Sequence, residues 1–261
     1  MKARAKFVKA GAMKFVGHLD IMRYFQKAFR RSGIDIAYSQ GYSPHQILSF
    51  AAPLGVGLTS DGEYLDMELV SSKSSAEMLD IMNAQMTEGI QLLSLKCLPE
   101  NSKNAMSIVA AADYKISVKD GYQVCEEFTA KITEFISRNE ILITKKTKRS
   151  EKEVDIRPSI YHYEYTDKAF GEKIGKEIEV SVADLYENGN VVYLQLATGS
   201  VNNLKPELVM EAFCAYIQVE YLEFAFQVHR LEVYADEASP TEAEAGIRKL
   251  ISLDNIGTNI D

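Results

Sequence analysis

Two of the chain's four histidines lie in a stretch that also carries basic and aromatic residues. His18 opens a segment that contains Asp20 and Arg23, and His45 ends a loop that contains Tyr42. Arginine forks match the geometry of phosphate, amides at a helix N-terminus donate to anions, and a tyrosine ring can stack on a nucleobase. If the loop folds over the start of the helix, these side chains form an anion or RNA site.

The predicted contact residues come almost entirely from this stretch. The RNA- or anion-binding set is His18, Asp20, Arg23, Lys27, Arg30, Arg31, Tyr42, Ser43, His45 and Arg157. Arg157 is added because it is basic and because Pro158 favours an extended backbone in the residue before it. The alternative is that His18 caps its own helix and His45 forms hydrogen bonds within a turn.

Catalysis is the less favoured interpretation of the same histidines. Imidazole titrates near neutral pH, so His18 or His45 suits acid–base chemistry, but nothing in the sequence fixes the geometry. Both are weak candidates, and no catalytic residue is assigned. Asp20 and Glu63 would add carboxylate ligands for a metal, but the spacing matches no metal motif such as HExxH. We therefore predict no metal site and no cofactor.

A glycine-containing segment follows the second histidine. Pro53–Gly57 resembles a phosphate-binding loop superficially, but it lacks the Gly-Lys-Ser/Thr ending and does not open an evident helix. A turn between strands is the favoured interpretation, although its backbone amides are chemically able to contact a phosphate.

The charge is distributed unevenly along the chain. The net charge is −8, but residues 1–50 hold five Lys, four Arg, two Asp and no Glu, which gives +7. The other 211 residues therefore sum to −15. A basic segment on an acidic body is typical of a local anion site. The alternative is that these cations pair with carboxylates inside the fold.

The composition predicts a cytoplasmic globular protein. The sequence has 261 residues and no apolar run of about 18, which argues against a transmembrane helix. No apolar segment follows the charged N-terminus, so no signal peptide is expected. Three widely spaced cysteines argue against a disulfide framework and favour a reducing compartment.

Apolar spacing predicts a helix from about His18 to Ser32. Its predicted apolar stripe consists of Leu19, Met22, Phe25, Gln26 and Phe29. The basic residues fall on the opposite side, and Gly33 suits the residue that ends the helix. Alternation and turn residues predict strands near 3–9, 47–51, 63–70 and 90–98, a short extra strand at 34–38, and a second helix near 74–86.

The fold class predicted from this order is α+β, with two tandem ferredoxin-like (βαββαβ) domains, each an antiparallel sheet with helices on one face. Residues 99–104 are the predicted boundary, and the same architecture is expected to recur after them. The predicted domains are residues 1–103 with the basic helix and its loop, residues 104–236, and an acidic tail at 237–261 for which partial helix or disorder is expected.

Four motifs occur in order between residues 17 and 66. They are Gly17-His18-Leu19-Asp20, Gly41-Tyr42-Ser43-Pro44-His45, Pro53-Leu54-Gly55-Val56-Gly57 and Glu63-Tyr64-Leu65-Asp66. Together with Arg23 and Arg30-Arg31, they resemble the bacterial radical-SAM-linked protein family. That family is an uncharacterised domain found beside radical SAM enzymes or fused to their C-terminus. The resemblance covers about residues 3–100 and includes the Val-Asp-Ile-Arg-Pro segment at 154–158.

The resemblance implies a role beside a radical SAM enzyme. This chain lacks the cysteine triad of such enzymes, so the enzyme is expected to be a separate chain. Neighbouring genes of the family in many bacteria concern RNA processing and ribosomes, which implies tRNA or rRNA as a further partner. The predicted element order is also similar to the tandem ferredoxin-like RNA-binding domains of CRISPR RNA-processing proteins.

Three functions are compatible with these observations. The favoured one is an RNA-binding or substrate-presenting accessory protein that acts with a radical SAM enzyme in tRNA or rRNA modification or processing. The second is an RNA-processing enzyme that uses His18 or His45 as acid and base. The third is a protein–protein interaction module without nucleic-acid contact, which pairing of the helix arginines with buried carboxylates would favour.

Overall fold

The computed structural model describes residues 1–146, 151–178, 183–200 and 202–261. The chain divides into two compact units. The first unit contains residues 1–111 and 232–261, and the second contains nearly all of the described residues between them. The predicted domain limits at residues 103 and 236 stay predictions.

Helices and strands alternate through most of the described chain. The helices are α1 His18–Ser32, α2 Ser75–Asn83, α3 Ala105–Ile108, α4 Phe128–Ile136, α5 Asp167–Ile174, α6 Pro206–Tyr216 and α7 Pro240–Glu244. The strands are β1 Lys2–Lys9, β2 Leu48–Phe50, β3 Thr59–Glu68, β4 Ile90–Cys97, β5 Val109–Val118, β6 Leu142–Lys146, β7 Glu151–Asp155, β8 Ile160–Glu164, β9 Val191–Ala197, β10 Phe226–Asp236 and β11 Leu250–Ser252.

The first unit begins with the predicted order β-α-β-β-α-β. β1 pairs with β3 on one side and with β4 on the other, and β2 pairs with β3, all antiparallel. The extra strand predicted at 34–38 is reduced to two isolated bridges, Ile36 with Leu69 and Tyr38 with Gln46. Because these two residues pair with different segments, no continuous ladder develops there.

Nine strands belong to one mostly antiparallel sheet, while β6 and β7 form a separate two-stranded sheet. A mixed helix–strand fold is therefore confirmed, but the predicted division into two tandem ferredoxin-like domains is not. β10 runs for eleven residues without Gly or Pro. It has no residue that would readily break or end a strand along its length.

Helix α1 is buried along much of the predicted stripe, at Phe25 and Phe29, but not at its first residue, Leu19. Ile21, Phe25, Ala28 and Phe29 are its buried residues, whereas Leu19 is 66% exposed. Leu19 precedes Ile21 by two positions, which places it about 160° away around the helix. The prediction that Leu19 joins the apolar stripe is thus wrong. The helix ends as predicted at Gly33, whose φ of 72° is left-handed and suits glycine.

Aromatic rings fill the space between α1 and the sheet. The Phe25 ring lies 4.9 Å from that of Phe7 on β1 and 5.8 Å from that of Phe50 on β2, both in edge-on geometry. All three side chains are almost fully buried. Edge-on aromatic pairs add stability beyond the area that they bury, so this cluster fixes the rotation of α1 on the sheet.

Within the first unit, residues 232–261 are joined to the N-terminal strands through polar contacts. The Tyr64 hydroxyl donates to the Glu232 carboxylate and lies 3.2 Å from Oγ of Ser252, the last residue of β11. Lys6 Nζ lies 2.9 Å from Glu232 Oε2. Burial, and then the Glu232 charge, raise the pKa of Tyr64 well above its usual value. Tyr64 therefore stays a neutral donor.

Within the described ranges, no helix is long and apolar enough to span a bilayer. Cys97, Cys125 and Cys214 are all free thiols.

Replacing Phe25 with alanine is expected to destabilise the protein by about 3–5 kcal/mol, because the side chain is fully buried among other rings. The matched control is Phe15→Ala, which removes a ring that is 66% exposed and is expected to change stability by less than about 0.5 kcal/mol. Urea unfolding followed by circular dichroism measures both. Equal losses would contradict the assignment of Phe25 to the core.

Candidate nucleic-acid interface

Four cationic side chains lie along one face of α1. They are Arg23, Lys27, Arg30 and Arg31, all exposed, and they are called the basic stripe below. At 100° per residue they fall within an arc of about 100°. The stripe faces solvent because the opposite side of the helix is buried against the aromatic cluster. The sequence predicted this grouping, and the structure brings the four residues together.

Arg23 carries the one carboxylate contact of the stripe among the described residues. Its Nη1 lies 3.0 Å from Asp20 Oδ1, and both side chains are more than 60% exposed. Exposed pairs of this kind contribute about 0–1 kcal/mol. The guanidinium can therefore exchange Asp20 for another anion at little cost.

The other stripe residues are still more available to bind an anion. Arg31 donates to the backbone oxygen of Gln85 at 3.1 Å, a neutral partner. Within the part of the chain that the structure describes, neither Lys27 nor Arg30 has a carboxylate partner. The contacts that would have favoured a pure protein-interaction module, arginines held by buried carboxylates, are not found on this helix among the described residues.

The cations Arg4 and Lys6 of β1, unlike those of the basic stripe, are paired with carboxylates inside the fold. Arg4 is almost fully buried, and its Nε and Nη2 form two hydrogen bonds with Asp66, at 2.7 and 3.1 Å. Lys6 pairs with the buried Glu232 carboxylate. The basic N-terminal segment is thus divided into cations that serve the fold and cations of α1 that face solvent.

His18 begins α1 and is half-buried. Its ring packs edge-on against Phe50 with 5.2 Å between centroids. Burial lowers the pKa of His18 below 6.5; the charge of Glu63 opposes this effect, and that of Lys9 adds to it. Lys9 Nζ donates to the carbonyl of Val16 at 3.0 Å, just ahead of the helix. Sequence reasoning did not place Lys9 beside His18, and it considered Glu63 only as a possible metal ligand.

His45 lies in an exposed hairpin and contacts only its own loop within the described chain. Its Nδ1 lies 2.9 Å from Ser39 Oγ, and its backbone N–H donates to the same oxygen. Ser43 contributes its carbonyl, 3.4 Å from the ring, and the side chain of Tyr42 is fully exposed. No described contact joins His45 to His18, so the structure does not bring the two histidines together.

Arg157 belongs to the second unit. It begins a short 3-10 helix, Arg157–Ser159, so the predicted extended backbone at this residue is wrong. Its Nη1 donates to the carbonyl of Ile160, and its backbone N–H donates to Asp155 Oδ1, both at 3.0 Å. These contacts within one turn outweigh the preference for an extended backbone that Pro158 imposes on Arg157. Its role in anion binding stays a prediction.

The glycine segment forms a turn, as predicted. Gly57 has a φ of 88°, and its N–H donates to the carbonyl of Lys14 at 2.8 Å. β3 follows at Thr59, so no helix opens after the glycines. The turn therefore contacts the short 3-10 helix Gly11–Phe15 that precedes α1. This contact joins segments far apart in sequence, and no local pattern predicts it.

Within the described residues, no group of three or more His, Cys, Asp or Glu side chains is arranged to hold a metal ion. Acid–base roles for His18 and His45 stay predictions.

Comparison with known proteins gives one informative match. The model of a family described as "uncharacterized protein conserved in bacteria (DUF2344)" matches residues 2–206. A search of curated proteins finds no match. The bacterial family that the sequence motifs indicate is thereby supported, whereas a link to radical SAM enzymes stays a prediction.

The His18 environment predicts opposite effects for two substitutions. Glu63→Gln should lower the pKa of His18 further, because a charge that stabilises the imidazolium is lost. Lys9→Met should raise it, because a repelling charge is lost while the buried stem is kept. NMR titration of the His18 ring measures both shifts. Changes of the same sign in the two variants would contradict the proposed charge environment.

Proposed function

The chain belongs to the DUF2344 family of proteins conserved in bacteria, and we propose for it the function that its first helix supports best. The protein binds RNA through the basic stripe and presents it to a separate radical SAM enzyme that modifies or processes tRNA or rRNA. The enzyme partner rests on the motif resemblance alone, and co-sedimentation of the two purified chains tests it.

The proposal that the protein binds RNA rests on the exposure of four cations on one face of α1. Arg23 and Arg30 are seven residues apart, about 10 Å along the helix axis. That span suits contacts with more than one phosphate of a strand. Arginine can bind a phosphate through two parallel hydrogen bonds, and release of counterions adds a favourable, salt-dependent contribution to binding.

The acidic remainder of the chain supports local rather than general binding of polyanions. Residues 51–261 sum to −15, so the body of the protein repels RNA while residues 1–50 carry +7. Since Arg4 and Lys6 are paired inside the first unit, the stripe carries much of the outward-facing positive charge of this segment. RNA is thereby directed to α1.

We also propose that each unit is a ferredoxin-like domain. In the first unit β1 lies between β4 and β3, and β2 pairs with β3. In the second, β5 lies between β10 and β9, and β8 pairs with β9. The β6–β7 hairpin and α5 then count as insertions. An experimental structure in which these strand neighbours differ would contradict this assignment.

The Arg23→Ala/Arg30→Ala double variant is expected to bind single-stranded RNA more than about tenfold more weakly at 0.1 M salt. Each lost phosphate contact should also reduce the salt slope by about 0.7, so the two together reduce it by about 1.4. Fluorescence anisotropy of labelled RNA across a salt titration measures both quantities.

The matched control is Lys73→Ala/Lys103→Ala, which removes two exposed cations of the first unit outside α1. It should bind RNA as the wild type does. Equal affinity and equal salt slope for the wild type and the stripe variant would refute the proposal, and so would an equal loss in stripe and control variants.

Asp20→Asn is expected to tighten RNA binding by about 2- to 5-fold, because it releases Arg23 from an exposed ion pair of modest strength. Glu100→Gln removes another exposed carboxylate of the first unit and serves as the control. The same anisotropy titration applies. A weaker affinity for Asp20→Asn, or an equal gain in the control, would contradict a phosphate contact at Arg23.

A further inference from the structure

Three large apolar side chains around the start of α1 are exposed. Phe15 and Leu19 are each 66% exposed, and Val56 is 60% exposed. Phe15 ends the short 3-10 helix before α1, Leu19 lies in the first turn of α1, and Val56 lies in the glycine turn. We refer to these three residues as the apolar rim. None of them is among the buried residues of the core.

The segments that carry the rim are held in place by their backbones. Gly57 N–H donates to the carbonyl of Lys14, the residue before Phe15. The buried Lys9 donates to the carbonyl of Val16, the residue after it. The side chain of Val16 itself packs against the core. Phe15 is therefore presented outward from a backbone that is fixed on both sides.

Leu19 of the rim lies on the same face of α1 as the basic stripe. Leu19 precedes Arg23 by four positions, and Lys27 and Arg30 continue the same face at eight and eleven positions. Lys14 Nζ lies 5.5 Å from the centroid of the Phe15 ring. An exposed aromatic ring thus lies beside one cation and just ahead of the helix that carries the basic stripe. Aromatic rings together with cations are the combination that single-stranded nucleic acids occupy.

We propose that Phe15 stacks on an unpaired base of single-stranded RNA whose phosphates contact the basic stripe. This inference rests on the proposed function and names its substrate class. Bases in an A-form duplex are already paired and stacked, so a duplex offers no free face to Phe15. Leu19 and Val56 shield the stacked base from water. A protein partner is the less favoured occupant because the rim is small and is bordered by cations.

The test compares a labelled 12-nucleotide oligoadenylate with an A-form RNA duplex of the same length. Phe15→Ala should weaken oligoadenylate binding about tenfold, leave duplex binding unchanged and leave the salt slope unchanged, because no phosphate contact is lost. Phe15→Tyr should restore the affinity, since it keeps an aromatic face. The matched control is Phe224→Ala, which removes a ring that is 70% exposed in the second unit and should have no effect.

A second readout reports stacking directly. An oligoadenylate that contains one 2-aminopurine should lose fluorescence on binding the wild type and keep it on binding Phe15→Ala at saturating protein. Thermal unfolding confirms that the variant is folded.

The two proposals fail in different ways. If the stripe variant loses RNA but Phe15→Ala binds both RNAs as the wild type does, or loses both equally, only the stacking inference is overturned. If the stripe variant and the wild type bind equally, the proposed function is overturned, and the stacking inference with it.

Discussion

The packing of α1 against the sheet of the first unit is the constraint on which the candidate interface depends. Phe25 packs edge-on against both Phe7 and Phe50, and a helix held by such contacts has a single rotational setting. That setting directs the basic stripe to solvent and also turns Leu19 outward. Hydrophobic burial, which carries no charge information itself, thereby determines which cations can meet an anion.

Charge is used in two different ways within fifty residues. On β1, Arg4 and Lys6 are paired with carboxylates in a largely buried environment, where removing one partner would leave an uncompensated charge. On α1 the cations have exposed or neutral partners, and such contacts are easily exchanged. The same residue types therefore stabilise the fold in one element and remain available for a ligand in the next.

Much of the fold of the first unit was predictable because its signals are local. The bounds of α1, the glycine that ends it, and the order β-α-β-β-α-β all follow from periodicity and turn residues. The structure of segment 34–38 was not predictable, because pairing there depends on two different partners, Leu69 and Gln46. The grouping of nine strands into one sheet was also not predictable, since strand neighbours are chosen by segments distant in sequence.

In the candidate site, too, some features follow from local sequence and others depend on segments distant in the chain. The sequence by itself determined the basic stripe, because a 3.6-residue period places four cations on one face whatever the helix packs against. It could not determine that Leu19 faces solvent, nor that the glycine turn donates a hydrogen bond to the carbonyl of Lys14. It also suggested a convergence of His18 and His45 that no described contact supports. Those features were decided only by the tertiary structure, because each depends on contacts between segments far apart in the chain.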